Sequence, residues 1–425
     1  MDNIKIFREK PVLIKNLADS GDKMDPTENL YCLSKIEGCG GRRGGLPEDF
    51  KVEEIVGGRN VSSILANGGS GFKEYTHFAL KKTGITTEDA LVSIARELKV
   101  GRDRLTVAGQ KDKNAVTIQL CSCWNGSANE KNADLDIEKV LCVKAKNIEI
   151  CSAFYAEDKI RTGDLTGNSF EISLVEVKKP DRINRIMEDA GGLIPNYFGP
   201  QRFGMKGNNV KVAKFILLKK YENAVYAFLA DDEKGFADFS ENGISEAGLA
   251  RLRKGGYEWL VAKHLLEHRG DFLGAVKRIP RAIKKLIVQS YQSHLFNLEL
   301  SERIRLKSLG VFEGERACGF NEYGFIDPET QGNVVTVGVM PGYNTKANGI
   351  MSDLLWNEGV GLGDFKFREL PELASEGFER PLLINVKDLK LNRESKRNEV
   401  SVSFALPKGG YATSFLKEIT SLKRN

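Results

Sequence analysis

From Phe50 the chain alternates. Phe50, Val52 and Glu54 fall on one side and Lys51 and Glu53 on the other, the period-two pattern of a strand with one covered face. In "TTEDALVSIARELKV" the repeat changes to that of a helix: Ala90, Leu91, Ile94, Ala95 and Leu98 form one apolar stripe. Thr86 and Asp89 stand three apart at its start, like a capping box. A charged turn follows, then a strand "RLTVAG", a bend "KDKNA" and a strand "VTIQLCSCW", in which Cys121 and Cys123 share one side. "GNSFEISLVEV" (167–177) predicts another strand, and "DRINRIMEDAGG" (181–192) a helix stopped by its glycines. The glycines of "ANGGSGF" (66–72) predict a loop between strands, and no Lys-Ser/Thr follows to make it a phosphate loop.

Near residue 193 the texture changes. "IPNYFGPQRFG" is dense in aromatic residues, Gly and Pro, and longer helical stretches follow, the clearest over 282–304. Strand-like texture returns at "RPLLINVKDLKLN" and "EVSVSFALPKGGYATSFLKEI". Two β-rich stretches flanking a different middle predict a discontinuous core interrupted by an inserted domain. Residues 1–36 carry no strong period and are expected to form a weakly ordered or lineage-specific extension.

Composition narrows the class. The 425 residues are 41% hydrophobic and 28% charged, enough to bury a core in a soluble protein. There is no apolar run of 18 residues and no secretory leader pattern, so a cytosolic address is expected. Seven cysteines without paired C-x-x-C spacing predict buried reduced thiols, not a zinc site or a disulfide framework. Four scattered histidines argue against a histidine-based metal or nucleophile machine.

Net charge is only +5, but basic residues cluster at Lys99–Lys113, Lys206–Lys220 and Lys277–Lys285. Such clusters suit a bound polyanion and suit solvated helix faces equally well.

"AGQKDKNAVTIQL" (108–120) sets Asp112 between Lys111 and Lys113 at a turn before a strand. A loop aspartate is ordinarily a solvated turn residue. Here it stands among other spaced motifs: "PEDFKVEE" (47–54), "GNSF" (167–170), "PNYFGPQRFG" (195–204), "QSYQSHLFN" (289–297) and "LPKGGYATSFLKEI" (406–419). On these six ordered stretches, from about residue 43 to the end, the chain resembles the TruD family of pseudouridine synthases.

The resemblance implies a cofactor-independent, metal-free RNA isomerase. Its fold would be α+β: a mixed-sheet catalytic domain of the pseudouridine-synthase type, interrupted by an α/β insertion. The expected division is an extension over 1–36, catalytic residues 37–192 and 379–425, and an insertion over 193–378, with tRNA in the cleft between the domains. No membrane and no obligate protein partner are implied. The family's usual target is the uridine at position 13 of tRNA, although some relatives modify other RNAs.

By position in the G-x-K-D motif, Asp112 is the implied catalytic carboxylate. A carboxylate that works ionised in a closed pocket needs a cation nearby. The family places that basic residue just before P-E-D-F, where Arg43 and Arg42 stand; Arg43 lies one position further from Phe50 than the family spacing, and Lys111 and Lys113 are the alternatives. Phe50 matches a pocket phenylalanine. Phe170 matches the residue that stacks on the target base, and Asn168 the one that holds the site by hydrogen bonds. Stacking of this kind contributes on the order of 1–3 kcal/mol per base. The uridine must leave its helix to be reached.

Arg202, in a stretch expected to form a hinge or wall of the RNA cleft, joins Lys113, Lys206, Lys284 and Lys285 as expected RNA contacts, with Lys284 and Lys285 facing outward from the 282–304 helix. Two other readings fit the residues: an RNA-binding or chaperone protein of the same fold without the chemistry, and a nucleoside hydrolase using an acidic residue.

Overall fold

The computed structural model describes residues 26–64, 73–126, 137–204, 206–393 and 399–422. The expected 66–72 loop and most of the expected N-terminal extension lie outside them. The chain divides into two compact units. One comprises Cys32–Asn196, Ala317–Val335 and Leu383–Asn425; the other comprises Met1–Tyr31, Tyr197–Arg316 and Thr336–Leu382.

The first unit is built on a mixed sheet. Its seven principal strands lie in the order Lys387–Arg393, Val400–Pro407, Gly167–Val175, Phe50–Val56, Val116–Trp124, Tyr75–Thr83 and Ile148–Ala156. Phe50–Val56 and Val116–Trp124 pair in parallel, and the neighbouring pairs are antiparallel. The alternation read at Phe50 is observed: Phe50, Val52 and Glu54 are buried and Lys51 is exposed.

Helices Arg182–Asp189 and Ala412–Thr420 cover one part of the sheet, packing Ile183, Ile186, Phe415 and Ile419 on Phe50, Phe170, Ile172 and Phe404. Helix Thr87–Leu98 covers another part, with Ala90, Leu91 and Ile94 on Phe78, Leu80, Cys121 and Cys123. Register sets Val52, Thr117 and Lys82 abreast, so the two helical groups share one face. Polar side chains occupy the seam between them: Glu54, Gln119 and Lys82 are all wholly buried there.

Four expectations are corrected. Residues 32–36 are not a loose extension: the backbone N–H groups of Leu33 and Ser34 donate to the Glu418 carboxylate, and the Ser34 hydroxyl donates to Asp189. Just beyond, Gly38 passes so close to the chain's last helix that a Cβ there would lie 2.5 Å from the Ser421 carbonyl oxygen. Residues 317–335 group with the sheet and not with the insertion, because Asn385 holds them at both Ile326 and Gly324. Among the cysteines, Cys39, Cys121, Cys123 and Cys318 are buried as expected, whereas Cys142 and Cys151 are exposed.

The fourth correction lies in the second, largely helical unit. Its spine is the helix Arg281–Arg305, close to the span read from sequence. Lys284 does not face outward from it. It shares the i, i+3, i+4, i+7 stripe with Ile287, Val288 and Tyr291, is 3% exposed, and pairs with Glu372 at 2.5 Å; Lys285 is exposed on another face. Arg303, fully buried on the same helix, pairs with Glu299 and Glu315. No helix among the described residues is long and apolar enough to cross a membrane.

Candidate active site

Asp112 lies in the bend between strands Leu105–Val107 and Val116–Trp124, half-buried. The seam side chains hold this bend from below. The backbone N–H of Lys111 donates to Thr87 Oγ1 (2.9 Å), at the first turn of helix Thr87–Leu98. Thr87 in turn donates to Gln119 Oε1 (3.0 Å), and Gln119 Nε2 reaches the Gly109 carbonyl (3.2 Å). That helix starts at the point read from sequence: Thr86 accepts the Asp89 N–H, and its hydroxyl donates to the Asp89 carboxylate. Lys82 Nζ donates to the Asp112 carbonyl at 2.6 Å and to the Ile85 carbonyl at 2.9 Å.

The side chain of Lys111 turns inward. Its ammonium donates to Asn168 Oδ1 at 2.5 Å and lies 3.0 Å from Glu54 Oε1. Glu54 sits opposite Asn168 in the strand pairing, and its Oε2 accepts the Leu120 N–H at 2.9 Å. Burial raises the Glu54 carboxyl above its ordinary value, while Lys111 and the Leu120 N–H pull it back. Lys111 therefore serves Glu54 and Asn168, and Lys113 is exposed.

Arg43 forms part of a short strand paired to Gly167–Val175, and its guanidinium lies over the ring of Phe50, 5.0 Å from the centroid. Phe50 and Phe170 meet at 6.2 Å, and Phe170 stacks on Phe404 at 5.2 Å. Phe170 is 6% exposed and belongs to the core. Arg43, Phe50, Lys111, Asp112, Asn168 and Phe170 thus all stand on the sheet unit, with Lys111 and Asn168 in direct contact.

Apart from Lys113, the expected RNA contacts stand in the other unit, and most are already engaged. Arg202 Nε donates to Ser293 (3.0 Å) and its Nη2 to Gln289 (3.3 Å), so two of the motifs bind each other. Lys206 pairs with Asp231 and Glu258, Lys211 with Glu233, Lys214 with Glu358, and Lys219 with Glu369. The basic run at 206–220 is therefore largely neutralised by its own unit. Among the described residues no group of three or more His, Cys, Asp or Glu could hold a metal ion.

Two site residues carried no functional reading in the sequence, Glu54 and Lys82. Each had a visible mark: a charge in register with the apolar positions of an alternating strand, Phe50 and Val52 for Glu54, Phe78 and Leu80 for Lys82.

A half-buried aspartate on a bend anchored at several points, beside a mixed sheet carrying buried aromatics, stands in an α+β protein. Known proteins agree in kind. The family model described as tRNA pseudouridine synthase D (TruD) matches residues 27–419. A relative from Syntrophotalea carbinolica, named tRNA pseudouridine synthase D, is 28% identical over 415 residues, covering 92% of this chain and 98% of its own. One from Methanopyrus kandleri, named a probable tRNA pseudouridine synthase D, is 32% identical over 377 residues, covering 83% and 86%. The crystal structure of a putative tRNA pseudouridine synthase D from Methanosarcina mazei superposes with a TM-score of 0.73 at 26% identity, over 93% of this chain and 96% of that one. The chain belongs to the TruD family.

Proposed function

We propose that this protein isomerises uridine to pseudouridine in tRNA, with Asp112 as the carboxylate that acts at the sugar or the base. The reaction breaks the bond between ribose C1′ and uracil N1 and forms one between C1′ and C5. The hydrogen on C5 passes to solvent and N1 gains one, so nothing is oxidised or reduced. An aimed carboxylate can attack as a nucleophile or stabilise the charge that develops as the base departs. The observation that carries this reading is the anchoring of the Asp112 bend, which fixes the backbone that bears the acid. The names of the relatives supply the RNA, and the family's usual target, position 13, is the uridine to examine first. Arg43, Phe50, Asn168 and Phe170 are the proposed pocket around it.

The test uses purified protein and a tRNA transcript tritiated at uridine C5. Wild type should release tritium and leave pseudouridine in the RNA. Asp112→Asn, nearly equal in volume, should fall to background while still binding tRNA. Substantial turnover by that variant removes Asp112 from the chemistry, and free uracil in place of pseudouridine points to a hydrolase.

A further inference from the structure

Lys82 is the last lysine on strand Tyr75–Thr83, in register with Phe78 and Leu80, and its side chain is wholly buried. A lysine in such a place is expensive to desolvate unless its protons find partners. Two find main-chain carbonyls, those of Ile85 in the turn before helix Thr87–Leu98 and of Asp112. One ammonium thus ties the bend bearing the acid to the turn that opens a helix. The two backbone segments belong to different connections of the sheet, and Lys82 reaches both.

Resting on the proposed function above, we propose that Lys82 is a positioning residue for the reaction: its ammonium clamps the Asp112 peptide and thereby sets where the Asp112 carboxylate points. The bend's other ties, through Thr87, Gln119 and Lys111, hold Lys111 and Gly109; Lys82 is the tie to Asp112's own carbonyl.

The charge state of the clamp is adjustable. Burial pushes the Lys82 ammonium down to about 8, with Asp112 opposing the shift and Lys111 adding to it. Other charged groups nearby are committed elsewhere, and in the seam Glu54 pairs with Lys111. At the helix start Glu88 pairs with Arg102 and Asp89 accepts from Thr86; on strand Ile148–Ala156 Glu149 pairs with Lys81. The sign follows: the clamp is charged below about pH 8 and releases a proton as pH rises through that value. The neutral amine still has hydrogens to donate, but it loses the charge that makes these contacts strong.

The experiment is single-turnover tritium release from C5-labelled tRNA at saturating protein, with tRNA affinity measured alongside, for wild type, Lys82→Met, Lys82→Arg and Asp112→Asn. A misaimed catalytic group can lose on the order of a hundredfold in rate. Lys82→Met should therefore slow the chemical step by about that factor with tRNA affinity unchanged. Wild-type rate should decline as pH rises through about 8, and the permanently charged Lys82→Arg should lose that decline.

A Lys82→Met protein that keeps the wild-type rate overturns the clamp, as does an alkaline decline that persists in Lys82→Arg. Should Lys82→Met fail to fold by circular dichroism, the pH profiles of wild type and Lys82→Arg decide by the same criterion. A wild type that makes no pseudouridine at any pH overturns the parent reading and the clamp's catalytic meaning with it; an active wild type with an indifferent Lys82 overturns the clamp alone.

Discussion

At the scale of single residues, the bend that carries Asp112 was legible and its supports were not. Asp112 is visible because a motif surrounds it. Glu54 and Lys82 look like ordinary charges on strands, since a residue's burial depends on what crosses above it, and those groups come from elsewhere in the chain. Lys111 shows the same limit: its place beside Asp112 suggests an ionic partner, yet its side chain runs inward to Glu54 and Asn168.

Glu54→Gln separates these roles. It keeps volume and an acceptor for the Leu120 N–H but removes the charge facing Lys111, so the bend should loosen and activity fall with the fold intact. Its stability signature has a definite sign. Because the folded carboxyl is raised, the native state binds a proton more readily than the unfolded one, and this group's contribution falls as pH rises from about 4.5 to the folded value. Melting curves across that acid range should show a steeper decline for wild type than for Glu54→Gln. Parallel slopes would mean Glu54 is not held in its raised state.

Elements were read well where the period was strong. The Thr87–Leu98 helix, the Val116–Trp124 strand and the Arg281–Arg305 helix lie where apolar spacing puts them, because one face of each is buried continuously. What the period of a helix does not reveal is a charge inside its own stripe. Lys284 looked like half of an outward pair, yet it lies in line with Ile287, Val288 and Tyr291, and that spacing was the available clue.

The two lysines should therefore part company. Lys284→Ala leaves the partly covered Glu372 carboxylate without its cation, and losing one partner of a charged hydrogen bond costs about 1–3 kcal/mol. Its melting temperature should drop by several degrees. Lys285→Ala should leave the melt unchanged. If it touches RNA, it should reduce the slope of log affinity against log salt by about 0.7–0.9, the value of one phosphate contact. An unchanged slope would make Lys285 a solvated residue of the helix face.

For the whole molecule, the sequence indicated a core split around an insertion but not how often the chain crosses between units. It does so after Tyr31, Asn196, Arg316, Val335 and Leu382. The excursion at 317–335 was invisible because its anchor, Asn385, is a lone polar residue more than fifty positions later. Phe325 from that excursion is buried with Ile55 and Ala405 of the sheet. A shortened chain with one linker in place of 197–382 should thus melt lower than one that keeps 317–335 between two linkers. Equal melts, followed by circular dichroism, would show that the excursion does not support the sheet.

The Gly167–Val175 strand lies between Phe50–Val56, made early, and Val400–Pro407, made almost last. On a ribosome these partners emerge far apart in time. At about 5–20 residues per second, the wait from residue 175 to residue 400 is roughly ten to forty-five seconds. Throughout it, one edge of a strand carrying Phe170 and Ile172 stays open, and the helix that brings Phe415 to Phe404 has not been made. An unpaired apolar edge is what holding chaperones bind and what neighbouring nascent chains can join. The order in which this protein is translated thus leaves this inner strand in the cell's care until the final thirty or so residues arrive.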